Sequence, residues 1–139
     1  MEITTNTIEV SGDGAMMPIY VAEPKGTGPY PVVIVFVEAF GVNEHIKDVT
    51  RRLAAEGYLA VCPDLFYRQG KRLVFGYDEI PKVMPVMQKI YDGQTNADVR
   101  CVIDHVKRLK NAKADRIGCT GYCMGGTVSW LSACLNTDI

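Results

Sequence analysis

Six consecutive apolar residues, Val32-Val33-Ile34-Val35-Phe36-Val37, limit how this chain can fold more than any other segment. All but Phe36 are β-branched, which favours an extended strand. Strand side chains point alternately to the two faces of a sheet, so an unbroken apolar run has to be covered on both. That requirement predicts helices on both sides of a largely parallel sheet. The run is also far shorter than the ~20 apolar residues needed to cross a bilayer.

The flanking segments predict the rest of an α/β domain. Upstream, Thr7 to Val10 and Met17 to Ala22 surround Gly12-Asp13-Gly14, whose Asp-Gly step predicts an antiparallel hairpin. Glu23 to Pro31 reads as a loop. Downstream, Asn43 can cap a helix from Asn43 or Glu44 to Glu56, with Ile46, Val49 and Leu53 at helical spacing and Gly57 as the stop. Leu59 to Cys62 reads as a second parallel strand, ended by Pro63-Asp64. Asp64 to Asp78 is a loop in which Tyr67, Arg68, Arg72 and Tyr77 read mostly as packing and surface-snorkelling groups, with ligand binding as the competing reading. Val83 to Tyr91 is a short helix, begun or broken by Pro81 and Pro85. Thr95-Asn96-Ala97-Asp98 has the form of a capping box, opening a longer helix striped by Val99, Val102, Ile103, Val106 and Leu109, with Lys107, Arg108 and Lys110 complementing its dipole. Arg116 to Thr120 is a third parallel strand, and Cys123 to Leu135 the last helix. The expected fold is α/β, with a mostly parallel sheet and an N-terminal antiparallel hairpin, in one domain over residues 1–139.

Composition excludes several functions. The 139 residues carry 15 Lys plus Arg against 16 Asp plus Glu, a net charge of −1, with no basic cluster to attract nucleic acid. The N-terminus, MEITTNTIEV, has no basic stretch followed by an apolar one, so the chain reads as soluble and cytoplasmic, with neither membrane nor nucleic acid as a partner. Its 5 cysteines, Cys62, Cys101, Cys119, Cys123 and Cys134, are odd in number and read as reduced thiols. No metal or organic cofactor is implied, because no ligand cluster is visible.

The candidate chemistry lies in Gly121-Tyr122-Cys123-Met124-Gly125, where a strand runs into a Gly-x-Cys-x-Gly turn and straight on into a helix. This is the pattern of a nucleophile elbow with cysteine in place of serine. Side chains two positions either side of the nucleophile would collide in so sharp a turn, hence Gly121 and Gly125. The helix N-terminus favours a thiolate at Cys123, and the Met124 amide points toward an oxyanion at the reacting carbonyl. The competing reading is a glycine-rich turn in which Cys123 is a small buried residue. A dinucleotide turn is disfavoured, since Gly-x-Gly-x-x-Gly spacing is absent. Glu38 ends the apolar run at the carboxyl edge of the sheet, where α/β sites form, and can exchange a proton with a thiol. Its competing reading is a solvated carboxylate near a helix start.

These residues resemble the dienelactone hydrolases (carboxymethylenebutenolidases) of the α/β-hydrolase superfamily over nearly the whole chain. The resemblance rests on the elbow, on Val37-Glu38-Ala39-Phe40-Gly41-Val42-Asn43, on Arg51 to Tyr58 and on Val61 to Phe66. It implies Cys123 as nucleophile, Glu38 as its resting contact, and the amides of Ala39 and Met124 as the oxyanion hole. It implies a hydrolase cleaving a small lactone or carboxylic ester, without a cofactor. It also implies a basic and an aromatic residue holding a substrate carboxylate, a role open to Arg68, Arg72, Tyr67 and Tyr77. Members of that family continue with further strand-helix units that supply the aspartate and histidine of a triad, whereas this sequence holds only His45 and His105. His105 falls about ten residues into its helix, ~15 Å below the sheet edge. The expectation is therefore an α/β-hydrolase domain lacking its C-terminal strands, a fragment. The alternative is a non-catalytic module or half of a split enzyme, which self-associates or takes a complementing C-terminal half.

Overall fold

The apolar run forms the strand β3 (Tyr30–Phe36), which lies between β4 (Leu59–Pro63) and β5 (Ala112–Gly121) and is parallel to both. The computed structural model describes residues 1–139. An antiparallel hairpin, β1 (Ile3–Ser11) and β2 (Met16–Pro24), joins through β2 to β4, so the five strands run in the order β1-β2-β4-β3-β5. Burial of the run follows the prediction. Val32, Ile34, Val35, Phe36 and Val37 are sealed from solvent, and Val33 is half-buried.

Two crossovers of opposite direction cover the two faces. The chain passes from β3 to β4 through α1 (Glu44–Ala55), then from β4 back across β3 to β5 through α2 (Ile80–Met87) and α3 (Asp92–Lys107). Both crossovers are right-handed by rule, so reversing the direction of travel puts α1 on one face and α3 on the other. The last helix, α4 (Met124–Leu135), packs on α3, β3 and β5. The core unites Ile34, Val35, Phe36, Leu59 and Val61 of the strands with Ile46 of α1 and Val99, Val102, Ile103 and Val106 of α3. No helix is long and apolar enough to cross a membrane.

Local signals placed most boundaries. Asn43 caps α1 by accepting from the Ile46 amide at 3.0 Å, and Gly57 leaves the helix with φ +98°. Four expectations need correction. β1 begins at Ile3 rather than Thr7. α2 begins at Ile80 rather than Val83, with Pro81 in its first turn, where no donor is needed, and Pro85 inside a helix of 8 residues that gives up little by losing one bond. α3 begins at Asp92, ahead of the expected capping box. Thr95 is buried and donates its amide to the Tyr91 carbonyl at 2.9 Å, because packing of this face extends the helix past a local stop signal. β5 begins at Ala112 rather than Arg116, with a register shift between the Tyr30 and Val32 pairings.

The loop after β4 is tied down by charge, not by snorkelling. Arg68 grips Asp98 of α3 through two bonds of 2.6 and 3.0 Å, and Asp98 is almost completely buried. The Tyr67 hydroxyl donates to Asp98 at 2.8 Å and accepts from the Asp13 amide in the hairpin turn at 2.9 Å. Burial, with Asp98 beside it, pushes the Tyr67 hydroxyl up to about 12. Removing Asp98 leaves Arg68 with only a 3.4 Å pair to the exposed Asp13, and losing a buried partner of this kind costs several kcal/mol. Asp98→Ala is expected to lower the unfolding free energy by about 3 kcal/mol, measured by urea denaturation.

His105 of α3 is partly buried in a cavity of about 180 Å³ beside Val21, Leu59 and Val61, and its Nε2 has no partner. Burial, and then the charge of Arg108, lowers its pKa from 6.5. The folded chain thus holds this proton more weakly than the unfolded one. Stability is complete above pH 6.5 and declines as the pH falls below it. His105→Gln is expected to flatten that decline in melts recorded across the acid range.

Candidate active site

The register of the two neighbouring parallel strands brings the candidate residues to one edge. Val35 pairs with Thr120 and Phe36 with Gly121, so Glu38 and Cys123 lie equally far beyond the last pair. That edge, the carboxyl end of the strands, is where open α/β sheets bind ligands.

Cys123 is the N-cap of α4 with φ 55° and ψ −124°, a left-handed conformation that L side chains rarely adopt. Such strain costs about 1–3 kcal/mol and has to be held by its surroundings. The glycines show what holds it. A Cβ on Gly121 would run into the Gly125 carbonyl, and one on Gly125 would lie 2.5 and 2.6 Å from the carbonyl oxygens of Phe36 and Val37. The first turn of α4 is thereby seated directly on the end of β3. The thiol is exposed at the positive end of the helix. Of the first four α4 amides, those of Gly125, Gly126 and Thr127 donate to the Tyr122 and Cys123 carbonyls, whereas that of Met124 has no such acceptor.

Across the edge, Glu38 is half-buried and its Oε2 is buried with no hydrogen-bond partner. An orphaned oxygen of this kind costs about 1–3 kcal/mol, which makes it a feature requiring a reason. Ala39 is buried, and its amide donates to no protein acceptor. The edge thus carries one exposed thiol, one carboxylate without a partner and two unused backbone donors. Met124 also lines a cavity of about 240 Å³, walled by Met87, Ile90, Thr127, Val128 and Leu131.

The loop bearing Glu38 is overlaid by a strap that nothing in the sequence foretold. Gly41 bridges Val74, the Phe75 amide donates to the Phe40 carbonyl at 3.1 Å, and the rings of Phe40 and Tyr77 meet edge to face at 4.8 Å. The histidines are elsewhere. His45 is exposed in the first turn of α1, and His105 lies in its own cavity on α3. Tyr67 and Arg68 are committed to Asp98. All five cysteines are free thiols; burial raises that of Cys62 far above its usual range, and Cys119 accepts from the Ser129 hydroxyl at 3.2 Å. No group of three or more His, Cys, Asp or Glu side chains is arranged to hold a metal.

Comparison with known proteins agrees with this architecture. The profile of the dienelactone hydrolase family matches residues 17–139. A protein of Escherichia coli strain K12 named as a carboxymethylenebutenolidase is 40% identical over 139 residues, covering 99% of this chain and 50% of its own length. A protein of Synechocystis with the same name is 37% identical over 141 residues, covering 99% of this chain and 56% of its own. This chain thus spans about half the length of the curated relatives it matches. A crystal structure from Klebsiella pneumoniae, described as a dienelactone hydrolase, superposes with a TM-score of 0.89 at 41% identity, over 99% of this chain and 57% of that one. A cold-adapted esterase from an Arctic intertidal metagenomic library, 18% identical with a TM-score of 0.72, shares the fold.

The seating of α4 on β3 can be tested at adjacent glycines. Gly125→Ala would press on two backbone carbonyls, whereas a Cβ on Gly126 meets nothing nearer than 3.5 Å. Gly125→Ala is expected to cost about 3 kcal/mol in urea denaturation, and Gly126→Ala to be neutral or to gain up to about 1 kcal/mol from helix propensity.

Proposed function

This chain belongs to the dienelactone hydrolase family, and on that premise we propose that it cleaves a small lactone or carboxylic ester by acyl transfer through Cys123. The thiolate attacks the carbonyl carbon, a C–S bond forms, and the carbonyl oxygen becomes an oxyanion held by the amides of Ala39 and Met124. Collapse of this intermediate restores the carbonyl, breaks the C–O bond and leaves a thioester on Cys123. In a lactone the leaving oxygen stays tethered to the acyl group. Water then releases the acid.

The observation that carries the reading is the left-handed backbone of Cys123, held between two sterically obligatory glycines with an unused amide beside it. Glu38 supports it. Its Oε2 is unpaired and does not hydrogen-bond the Cys123 thiol, so the resting contact that the resemblance implies is proposed to form only on rotation of either side chain. The cavity beside Met124 is the proposed wall for the apolar part of the substrate. Five free thiols suit a reducing compartment, so the cytoplasm is the proposed location.

The outer edge of β5 and the exposed Trp130 and Leu135 of α4 also suit contact with a second copy or with a complementing C-terminal half. A concentration-dependent mass in sedimentation would support that contact.

The acyl-transfer reading predicts that iodoacetamide labels Cys123 first, mapped by mass spectrometry, and that Cys123→Ala abolishes both labelling there and ester cleavage. Preferential labelling of Cys62 or Cys101 would refute the assignment. Attack needs only groups this chain carries, but neither of its histidines is hydrogen-bonded to Cys123. Acylation by an activated ester is therefore expected to outpace release of the acid, with steady turnover limited to about 10³-fold over water, as when triad members are removed from serine hydrolases. Efficient turnover lost in His45→Ala would show that this histidine acts as the base.

A further inference from the structure

Asp64 is a buried titratable group for which the acyl-transfer chemistry has no use. It succeeds the last residue of β4 and is almost completely shielded, with both carboxylate oxygens occupied. Oδ1 accepts from the Phe66 amide at 3.1 Å and Oδ2 from the Arg72 amide at 2.7 Å. Burial pushes its pKa up, against these two amides. Arg72, at the far end of the second bond, has φ 59°, and is with Cys123 one of two non-glycine residues in the left-handed region. Two unfavourable features, a buried carboxylate and a strained backbone, are thus joined by one hydrogen bond.

The course of the chain after Arg72 gives the reason for that bond. The left-handed turn sends Leu73, Val74 and Phe75 antiparallel along the loop that carries the catalytic candidates. Gly41 bridges Val74, and the Phe75 amide donates to the Phe40 carbonyl at 3.1 Å. Gly41 is itself left-handed at φ 81°, and a Cβ there would run into the Leu73 carbonyl, so the strap lies as close as the backbone permits. Burial of apolar surface accounts for the strap only in part, since Leu73 and Phe75 are half-buried. Val74 is 52% exposed and Tyr77 62%. Its effect is to hold Phe40 and Gly41 from outside, and the neighbouring peptide carries the unpaired Ala39 amide.

We propose that Asp64 is a positioning residue for the oxyanion hole: by fixing the left-handed turn at Arg72 it seats the strap on Phe40 and Gly41 and so aims the Ala39 amide. This rests on the reading of Ala39 as an oxyanion donor, and it assigns to the Asp64 carboxylate and the Arg72 backbone a role in transition-state stabilisation. The Arg72 guanidinium adds a charge attraction to Asp64 but makes no hydrogen bond to it; the bond is to the Arg72 backbone amide. The thiol itself is untouched, because Cys123 is held from the other side by Gly121 and Gly125.

Two reactions of one sulfur separate these roles. Alkylation by iodoacetamide displaces iodide from a saturated carbon and develops no oxyanion. Acylation by p-nitrophenyl acetate passes through a tetrahedral oxyanion and expels nitrophenolate, read as a single-turnover burst that needs no histidine for deacylation. In Asp64→Asn the amide group can still accept one bond but offers an N–H to the other donor. This variant of the chain is expected to acylate about 10²-fold more slowly while alkylating at a rate within about twofold of the original, since an ångström of misplacement costs that much in a preorganised site. Arg72→Gly keeps the amide and accepts the left-handed turn without strain, so it is expected to retain the original ratio of the two rates. If Asp64→Asn fails to fold, Gly41→Ala, which pushes the strap off from the opposite side, is expected to depress the same ratio.

An Asp64→Asn variant that acylates and alkylates at the original ratio, with or without a lowered melting temperature, overturns the positioning role. So does a fall in both rates together, which is the mark of a residue needed only for stability. Loss of the ratio in Arg72→Gly overturns it as well, by assigning the effect to the guanidinium. An original chain alkylated at Cys123 but never acylated overturns the oxyanion reading of Ala39 and the positioning role with it.

Discussion

The close approach of the first turn of α4 to the last carbonyls of β3 is the contact on which the rest of the site depends. Gly125 stands where any side chain would lie 2.5 Å from the Phe36 carbonyl, and Gly121 where one would meet Gly125 itself. Because the helix begins so close to the strand, the residue between the glycines has to turn through a left-handed conformation. Cys123 is lifted out of the chain with its sulfur exposed and its successor's amide unspent. Sharp turns of this kind need a rigid base, and the parallel pairing of β3 with both neighbours provides one.

Several of the structure's costs meet at one edge, although buried, unpartnered atoms of Arg68 and His105 lie elsewhere. Both left-handed residues that are not glycine, Arg72 and Cys123, flank the short loop of Glu38, Ala39 and Phe40. The unsatisfied Glu38 oxygen lies in that loop, and the buried Asp64 carboxylate is one hydrogen bond away from the strap that overlies it. Strain and unmet hydrogen bonds persist where the surroundings over-determine them. Here the sheet over-determines the elbow from below and the strap over-determines the Glu38 loop from above, a division that lets one edge carry an exposed thiol and fixed donors together.

Stability is supplied away from that edge. The hydrophobic core joins the strands to α1 and α3, and the Arg68–Asp98–Tyr67 cluster links the hairpin turn, the loop after β4 and α3. Arg68 sits beside the strap in sequence, yet its charge is spent on holding the fold. A basic residue near a candidate site is therefore no evidence of an anion-binding role until its partners are known.

Features whose cause is local were legible in the order of residues. A short, unbroken, β-branched apolar run favours a strand covered on both faces, Asn43 and Gly57 bound a helix by capping and by a left-handed stop, and glycines spaced about Cys123 signal an elbow because only glycine fits so tight a turn. The placement of Glu38 opposite Cys123 came from the same logic, since each begins where a strand ends. Features that depend on distant partners emerged only in the folded chain. Thr95 looks like a cap but is buried within its helix; Asp98 lies 30 residues from the arginine it holds; and the left-handed turn at Arg72 exists because a carboxylate 8 residues earlier accepts its amide. Loops of this kind carry no hydrophobic period and no obligatory glycine at the critical position, so their conformation is set by packing energies between segments that only the folded chain brings together.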